Sequence, residues 1–192
     1  MRTLLFLLTT SIAFSQTTPT PLSPITPSQR LKWAVYSSVG PPSIAAGAIT
    51  SAYSTWTNSP REYGPHWDGY GKRIGLRLTG AATSTLMEAG VGSLWGEDPR
   101  YRRATVTGAK NRIWYAVKTA FVAYDRNGKA MPAYARFIAI PSSNVISNAW
   151  RPDSQRTVGD TTARIGLGFL SRIAANSFSE FMPDIRRKFR KK

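Results

Sequence analysis

Small residues recur at every fourth position in two stretches of this chain, Gly47, Ser51 and Thr55, and then Gly71, Gly75, Thr79 and Thr83. That spacing places them on one side of an α-helix, where short side chains let two helix backbones approach closely. Strand-like alternation is weak everywhere, so the expected fold class is all-α. The expected architecture is a compact domain of about five to seven short, kinked helices packed through Gly/Ala/Ser/Thr rows, with Gly71, Gly75 and Thr79 as a helix-packing row. The 15 Gly and 13 Pro imply interrupted elements, and the absence of Cys excludes disulfides and thiolate metal clusters. No internal repeat stands out.

Local signals divide the chain further. Ser28 is placed to cap a first helix that buries Leu31, Ala34 and Val35, and Gly40-Pro41-Pro42 stops it. A second helix runs from Ser43 to Trp56, with Ile44, Ala48, Ala52 and Trp56 as another row. A third spans Asp68 to Trp95, with Ile74, Leu78, Leu86 and Val91 available for burial. Asp98 as N-cap and Pro99 as first helical residue are expected to open a new turn. A fourth helix from Gly108 to Tyr124 turns Ile113, Trp114, Val117, Phe121 and Tyr124 inward, and Asp125 to Lys129 forms a turn. Ala133 to Trp150 contains Pro141 and is either one kinked helix or, the preferred reading, two short helices parted near Pro141 to Asn144. The last helix, Asp160 to Phe181, buries Leu170, Ile173, Ala174, Phe178 and Phe181, and Pro183 interrupts it.

The N-terminus has the layout of a secretory signal peptide over residues 1–15: Met1-Arg2, a short apolar run, and Ala13-Phe14-Ser15 before Gln16. Residues 16–27 read as a Thr/Pro/Ser linker, 28–185 as the helical domain and 186–192 as a solvated basic tail. The expected address is outside the cytosol: periplasm, outer-membrane-associated or secreted. Trp33 to Pro60 is a 28-residue stretch without a charge, but it is broken by Gly40-Pro41-Pro42 and rich in Ala, Ser, Thr and Gly. So little aliphatic surface drives insertion weakly, which argues for peripheral membrane association over a conventional crossing.

Lys and Arg number 26 against 10 Asp and Glu, a formal charge of +16, so an anionic partner is expected. Export argues against nucleic acid and leaves an anionic lipid or envelope polymer. No cofactor or metal is expected. His66 is the only imidazole; with Asp68 or Glu97 it would serve an exported hydrolase or transferase as general base, but a turn histidine beside a capping Asp68 is the simpler reading. Gly69-Tyr70-Gly71-Lys72-Arg73-Ile74-Gly75 has one residue too many for a dinucleotide loop and no preceding strand. The densest polar segment runs from Trp95 to Arg103. Glu97, Asp98, Pro99 and Tyr101 are expected as a structural motif in which the acids pair with arginines and pin the loop. The functional alternative is an anion site made by Arg100, Arg102 and Arg103, joined by Arg186, Arg187, Lys188 and Arg190 of the tail.

The signal peptide, Gly69 to Gly75, Glu97-Asp98-Pro99-Arg100-Tyr101, Asn148-Ala149-Trp150-Arg151-Pro152 and Glu180-Phe181-Met182-Pro183-Asp184-Ile185 together resemble a family of exported bacterial proteins to which no activity is assigned. The resemblance implies a shared helical fold and transfers no catalytic residue. The expected function is that of a non-enzymatic cell-envelope protein whose basic, aromatic-bearing surface meets a membrane or another anionic polymer.

Overall fold

A computed structural model describes residues 23–190. The leader read over residues 1–15, the linker as far as residue 22, and the last two lysines lie outside the described residues. Six α-helices are formed: α1 (Pro27–Val39), α2 (Pro41–Trp56), α3 (Trp67–Trp95), α4 (Ala109–Phe121), α5 (Tyr134–Ile146) and α6 (Val158–Phe189). A hairpin of β1 (Val122–Tyr124) and β2 (Ala130–Pro132) joins α4 to α5, with Ala123 opposite Met131. The fold is all-α apart from this hairpin. The helices are not uniformly short, since α3 has 29 residues and α6 has 32, about 44 and 48 Å at 1.5 Å per residue.

Several boundaries differ from expectation for identifiable reasons. Thr26, not Ser28, caps α1: its hydroxyl accepts from Gln29 N–H and the Gln29 side chain returns the bond, with Pro27 in the first turn. Asp98 and Pro99 start no helix. Asp98 N–H donates to Tyr124 O at 2.8 Å, so the segment joins the edge of the hairpin instead. The final residues expected of the fourth helix, Val122 to Tyr124, are strand β1. Pro141 lies inside one continuous α5, and Pro183 inside α6, which carries on to Phe189. An internal proline costs a helix about 3 kcal/mol, and at Pro141 the packing of α5 against both α3 and α6 offsets it. The basic residues 186–188 accordingly form the last turn of α6 and are not a separate tail.

The architecture is a duplication, which corrects the expectation that no repeat exists. In the first half α1 and α2, separated only by Gly40, run antiparallel along α3; in the second α4 and α5, separated by the hairpin, run antiparallel along α6. Gln29-Arg30-Leu31-Lys32-Trp33-Ala34-Val35 of α1 matches Asn111-Arg112-Ile113-Trp114-Tyr115-Ala116-Val117 of α4, and Arg73-Ile74-Gly75-Leu76 of α3 matches Arg164-Ile165-Gly166-Leu167 of α6. Equivalent residues make equivalent bonds. Arg30 donates to Ala89 O (3.5 Å) as Arg112 does to Glu180 O (2.9 Å), and Thr85 donates to Ala34 O (3.4 Å) as Asn176 does to Ala116 O (3.2 Å). Pro60 and Pro152 each precede a single 3₁₀ turn closed on the proline carbonyl. Arg73 then ties that turn to α2, donating to Ser59, Pro60 and Gly64 carbonyls and to Thr55, as Arg164 ties its counterpart through Gln155 O and Asn148. The halves meet where α5 lies between α3 and α6.

Every helix turns its small and polar face inward. On α1 the buried residues are Arg30, Ala34 and Ser38, while Leu31 and Val35 are exposed; on α4 they are Ala116, Thr119 and Ala120, while Ile113 and Trp114 are exposed. On α6 Thr161, Asn176 and Glu180 are buried and Leu170 and Phe178 are not. Of the apolar stripes expected to form the core, Ala34 is fully buried and Ile74, Leu78, Val117 and Ile173 are half-buried, but the larger share of Leu31, Val35, Ile113, Trp114, Leu170 and Phe178 lies outside, and the fully buried aliphatic residues are alanines with one isoleucine, Ile140. Gly47 and Ser51 do pack at a helix contact, against Ile74 and Arg77 in the case of Gly47. Gly71, Gly75 and Thr79 do not: all three are exposed, and a Cβ at either glycine would meet nothing within 4 Å.

Candidate functional site

The segment after α3 begins at Gly96, whose φ of 78° ends the helix in the left-handed conformation that glycine adopts without strain. This places Glu97 at full burial. Its Oε2 accepts from Trp95 Nε1 (3.0 Å) and from Ala135 N–H (2.9 Å), so a carboxylate from the first half satisfies the first turn of α5. Its Oε1 has no partner among the described residues. Arg30 Nη2 holds the Glu97 carbonyl at 2.7 Å.

Asp98 pairs with arginine, whereas the Glu97 carboxylate, expected to do likewise, meets only Trp95 and the Ala135 N–H. Asp98 accepts from the Arg100 guanidinium at 2.8 and 3.0 Å and from Arg100 N–H, and Arg102 lies 3.9 Å away with its guanidinium over the Tyr124 ring. Arg103 points elsewhere, to the Glu180 carbonyl and the Asp184 carboxylate. The three arginines therefore do not converge on an anion site: Arg100 and Arg102 are committed to Asp98, and Arg103 to α6. Pro99 is buried under the same loop, and the Tyr101 hydroxyl donates to Glu180 at 2.8 Å.

Glu180 is the centre that the sequence reading did not single out. It is 0% exposed and accepts from Arg112 Nε at 2.6 Å, Tyr101 OH at 2.8 Å and Ala104 N–H at 2.9 Å, while Arg112 reaches on to Asp184 at 2.6 Å. Burial pushes the Glu180 carboxyl up, and these three donors overcome it and hold the group below the usual carboxylate range. Burial, then the bond to Glu180, pushes the Tyr101 phenol up. Beside the cluster lies an open groove of about 370 Å³ lined by Arg103, Thr107, Gly108, Arg112, Glu180 and Asp184, in which two cations face two carboxylates. The pairing of Arg112 with Arg30 at matching helix positions is the signal that would have drawn attention to it.

A second buried centre sits between the halves. Glu88, 2% exposed, bonds Arg136 of α5 at 3.1 Å and Arg172 of α6, whose guanidinium lies over Trp33. Arg136 also donates to the carbonyls of Thr119 and Ala120 at the end of α4. Burial and the neighbouring Arg172 lower Arg136 to about 10. This charge is internal and offers no ligand an approach.

Arg186, Arg187, Lys188 and Arg190 are exposed around the C-terminus of α6, and none is ion-paired among the described residues. They complement the helix dipole. His66 is exposed at the N-cap of α3, where no side chain caps the helix; Asp68 stands in the first turn and serves as no cap. Glu97 lies beyond the other end of that 29-residue helix, so His66 and Glu97 are not brought together. Among the described residues no three His, Asp or Glu side chains gather as metal ligands.

Trp56, Trp67, Trp114, Leu94, Val158 and Phe189 are between 69% and 86% exposed, and Leu31, Lys32, Val35, Tyr36 and Val39 line a shallow apolar groove on α1. Among the described residues no helix is long and apolar enough to cross a membrane. No family model matches this chain, and comparison with curated proteins and with solved structures finds no similar one.

Proposed function

We propose that this protein is an exported, non-enzymatic component of the bacterial cell envelope that lies against an anionic lipid surface. One observation carries the reading: large apolar side chains are outside while Glu88, Glu97, Asp98, Arg136 and Glu180 are inside. In water that order is unfavourable by about 25 cal/mol for each Å² of apolar surface left exposed, and an apolar environment reverses the sign. Aromatic and aliphatic side chains on helix faces, with lysines and arginines near them, are suited to the boundary between headgroups and acyl chains. The four cations ending α6 supply attraction to anionic headgroups. The proposal places the chain with the exported proteins that its motifs resemble.

The experiment is flotation of the protein with vesicles of phosphatidylglycerol and, separately, phosphatidylcholine, at low and raised salt. Binding to both is expected, stronger to the anionic vesicles, with only the difference between them falling as salt rises. A chain that stays in the aqueous fraction with every vesicle contradicts the reading.

A further inference from the structure

The chain turns from α2 into α3 and from α5 into α6 through matching elbows, but the second elbow carries an arginine that the first lacks. Counting back from Pro60 and Pro152, Ser59 matches Arg151 and Thr55 matches Ser147. In the first elbow Arg73 uses its whole fork: Nη1 donates to the Thr55 hydroxyl at 3.3 Å and Nε to the Ser59 carbonyl at 3.1 Å. In the second, Arg151 Nε takes the Ser147 hydroxyl at 3.1 Å, and Arg164 Nε is buried with no acceptor among the described residues. Both arginines reach Gln155, Arg151 at its side-chain oxygen and Arg164 at its carbonyl, so two guanidiniums share one short turn.

Among the described residues no carboxylate pairs with either of them. The acids of the two elbows are engaged elsewhere: Asp153 with Arg156 at 2.9 Å, Asp160 with the Thr157 hydroxyl, and Glu62 with Ser154. Burial, and then the neighbouring Arg164, lower the Arg151 guanidinium. Burial lowers Arg164 as well, and Asp160 opposes it. Two more buried donors have no partner among the described residues: Trp150 Nε1, next to Arg151 in the chain, and the hydroxyl of Tyr63 in the first elbow, whose phenol is pushed up by burial with Arg151 opposing. Asn58 Oδ1 is an acceptor in the same condition. Water can satisfy such donors, but it brings no charge, and two adjacent half-buried cations are balanced only by an anion.

We propose that the second elbow binds a phosphate group, with Arg151 as its principal contact and Tyr63, Trp150 and Arg164 as further donors. A phosphate group presents several strong acceptor oxygens and as many as two negative charges, against two guanidiniums that have only neutral acceptors. Arg151 Nη2 makes no hydrogen bond among the described residues and is not enclosed, so a ligand meets it first. The site goes beyond the lipid reading and does not depend on it, because the same chemistry is offered by a phosphate free in solution and by one in a headgroup.

The test is calorimetric titration of the full chain, in a phosphate-free detergent at fixed ionic strength, with inorganic phosphate, glycerol 3-phosphate and short-chain phosphatidylglycerol below its micelle concentration. One site per chain is expected. Arg151→Ser installs the residue that the first elbow carries at this place, so the helical circular-dichroism spectrum should stay unchanged while affinity falls at least about tenfold. Tyr63→Phe removes one hydroxyl and should weaken binding about threefold, which keeps the site testable if Arg151→Ser does not fold. Lys188→Gln with Arg190→Gln removes two exposed charges at the end of α6 and should leave the affinity as it is. Uptake of the two free phosphates assigns a soluble ligand; uptake of the phosphatidylglycerol alone, lost in Arg151→Ser, assigns a headgroup to the same site. If none of the three probes binds, or if the α6 variant loses as much as Arg151→Ser, the inference is overturned, whether or not the chain floats with vesicles.

Discussion

Glu180 shows how much of this fold depends on single buried charges. Its carboxylate is held by one arginine, one tyrosine and one backbone N–H, drawn from α4 and from the segment before it. Removing one member of a buried pair leaves the other without compensation, and Glu180→Ala is expected to cost about 3 kcal/mol, read as a fall in the denaturation midpoint. Because its folded pKa is depressed, the stabilisation is present above the unfolded value of about 4.3 and is lost as pH falls through the lower folded value. Acid melting of the wild type should therefore steepen below about pH 4.3, and Glu180→Gln should flatten that dependence while lowering stability throughout. The opposite kind of residue is Gly75. With open space where its Cβ would stand and a helical backbone, Gly75→Ala is expected to raise stability by about 0.5–1 kcal/mol. A comparable loss would return Gly75 to a packed contact.

Among the elements, the elbows between α2 and α3 and between α5 and α6 are each tied by an arginine in the first half of the long helix, Arg73 and Arg164. Arg73 is 6% exposed, reaches four oxygens and lies near the Tyr63 ring, so its planar fork holds three loop carbonyls at once. Lysine keeps the charge and loses the fork. Arg73→Lys is expected to speed amide exchange in residues 59–64 by at least tenfold and leave α4 unchanged; uniform protection would remove the staple. Most helix limits were legible in the sequence because stops are local: Gly40 and Gly96 act within a turn of themselves, while the cap of α1 was misplaced from Thr26 to Ser28. Which side faces inward was not, because the apolar residues Leu31, Val35, Leu170 and Phe178 pointed to one face while the fold buries Ala34, Ser38, Asn176 and Glu180 on another. The acid–arginine pairing of Asp98 was readable from adjacency, whereas Glu180 meets Arg112 from 68 residues away, and only the matching of Arg30 with Arg112 hinted at a shared role.

At the scale of the whole molecule, the charge of +16 overstates what a partner meets. Arg30, Arg73, Arg102 and Arg136 are buried and spend their donors on carbonyls, carboxylates and ring faces inside the fold. Four exposed cations cluster at the end of α6 and others, such as Lys32, Lys72, Lys110 and Lys118, are spread along the helices, while the apolar exterior extends over all six. Two contributions of different physical origin should then be separable at a vesicle. The apolar part responds to the area inserted and is nearly indifferent to salt, whereas each cation near an anionic leaflet contributes about 1 kcal/mol and fades within a Debye length. Neutralising Arg186, Arg187, Lys188 and Arg190 together to Gln removes about 4 kcal/mol, which at 1.4 kcal/mol per tenfold is close to a thousandfold loss of partitioning into phosphatidylglycerol at low salt. Binding of the same variant to phosphatidylcholine should be unchanged. The complementary substitution, Leu31 and Val35 to Gln on the outer face of α1, is expected to weaken binding to both lipids equally and at every salt concentration. If the Gln tail instead binds phosphatidylglycerol as the wild type does, the end of α6 is not the electrostatic contact, and the attraction has to come from the dispersed cations along the helices.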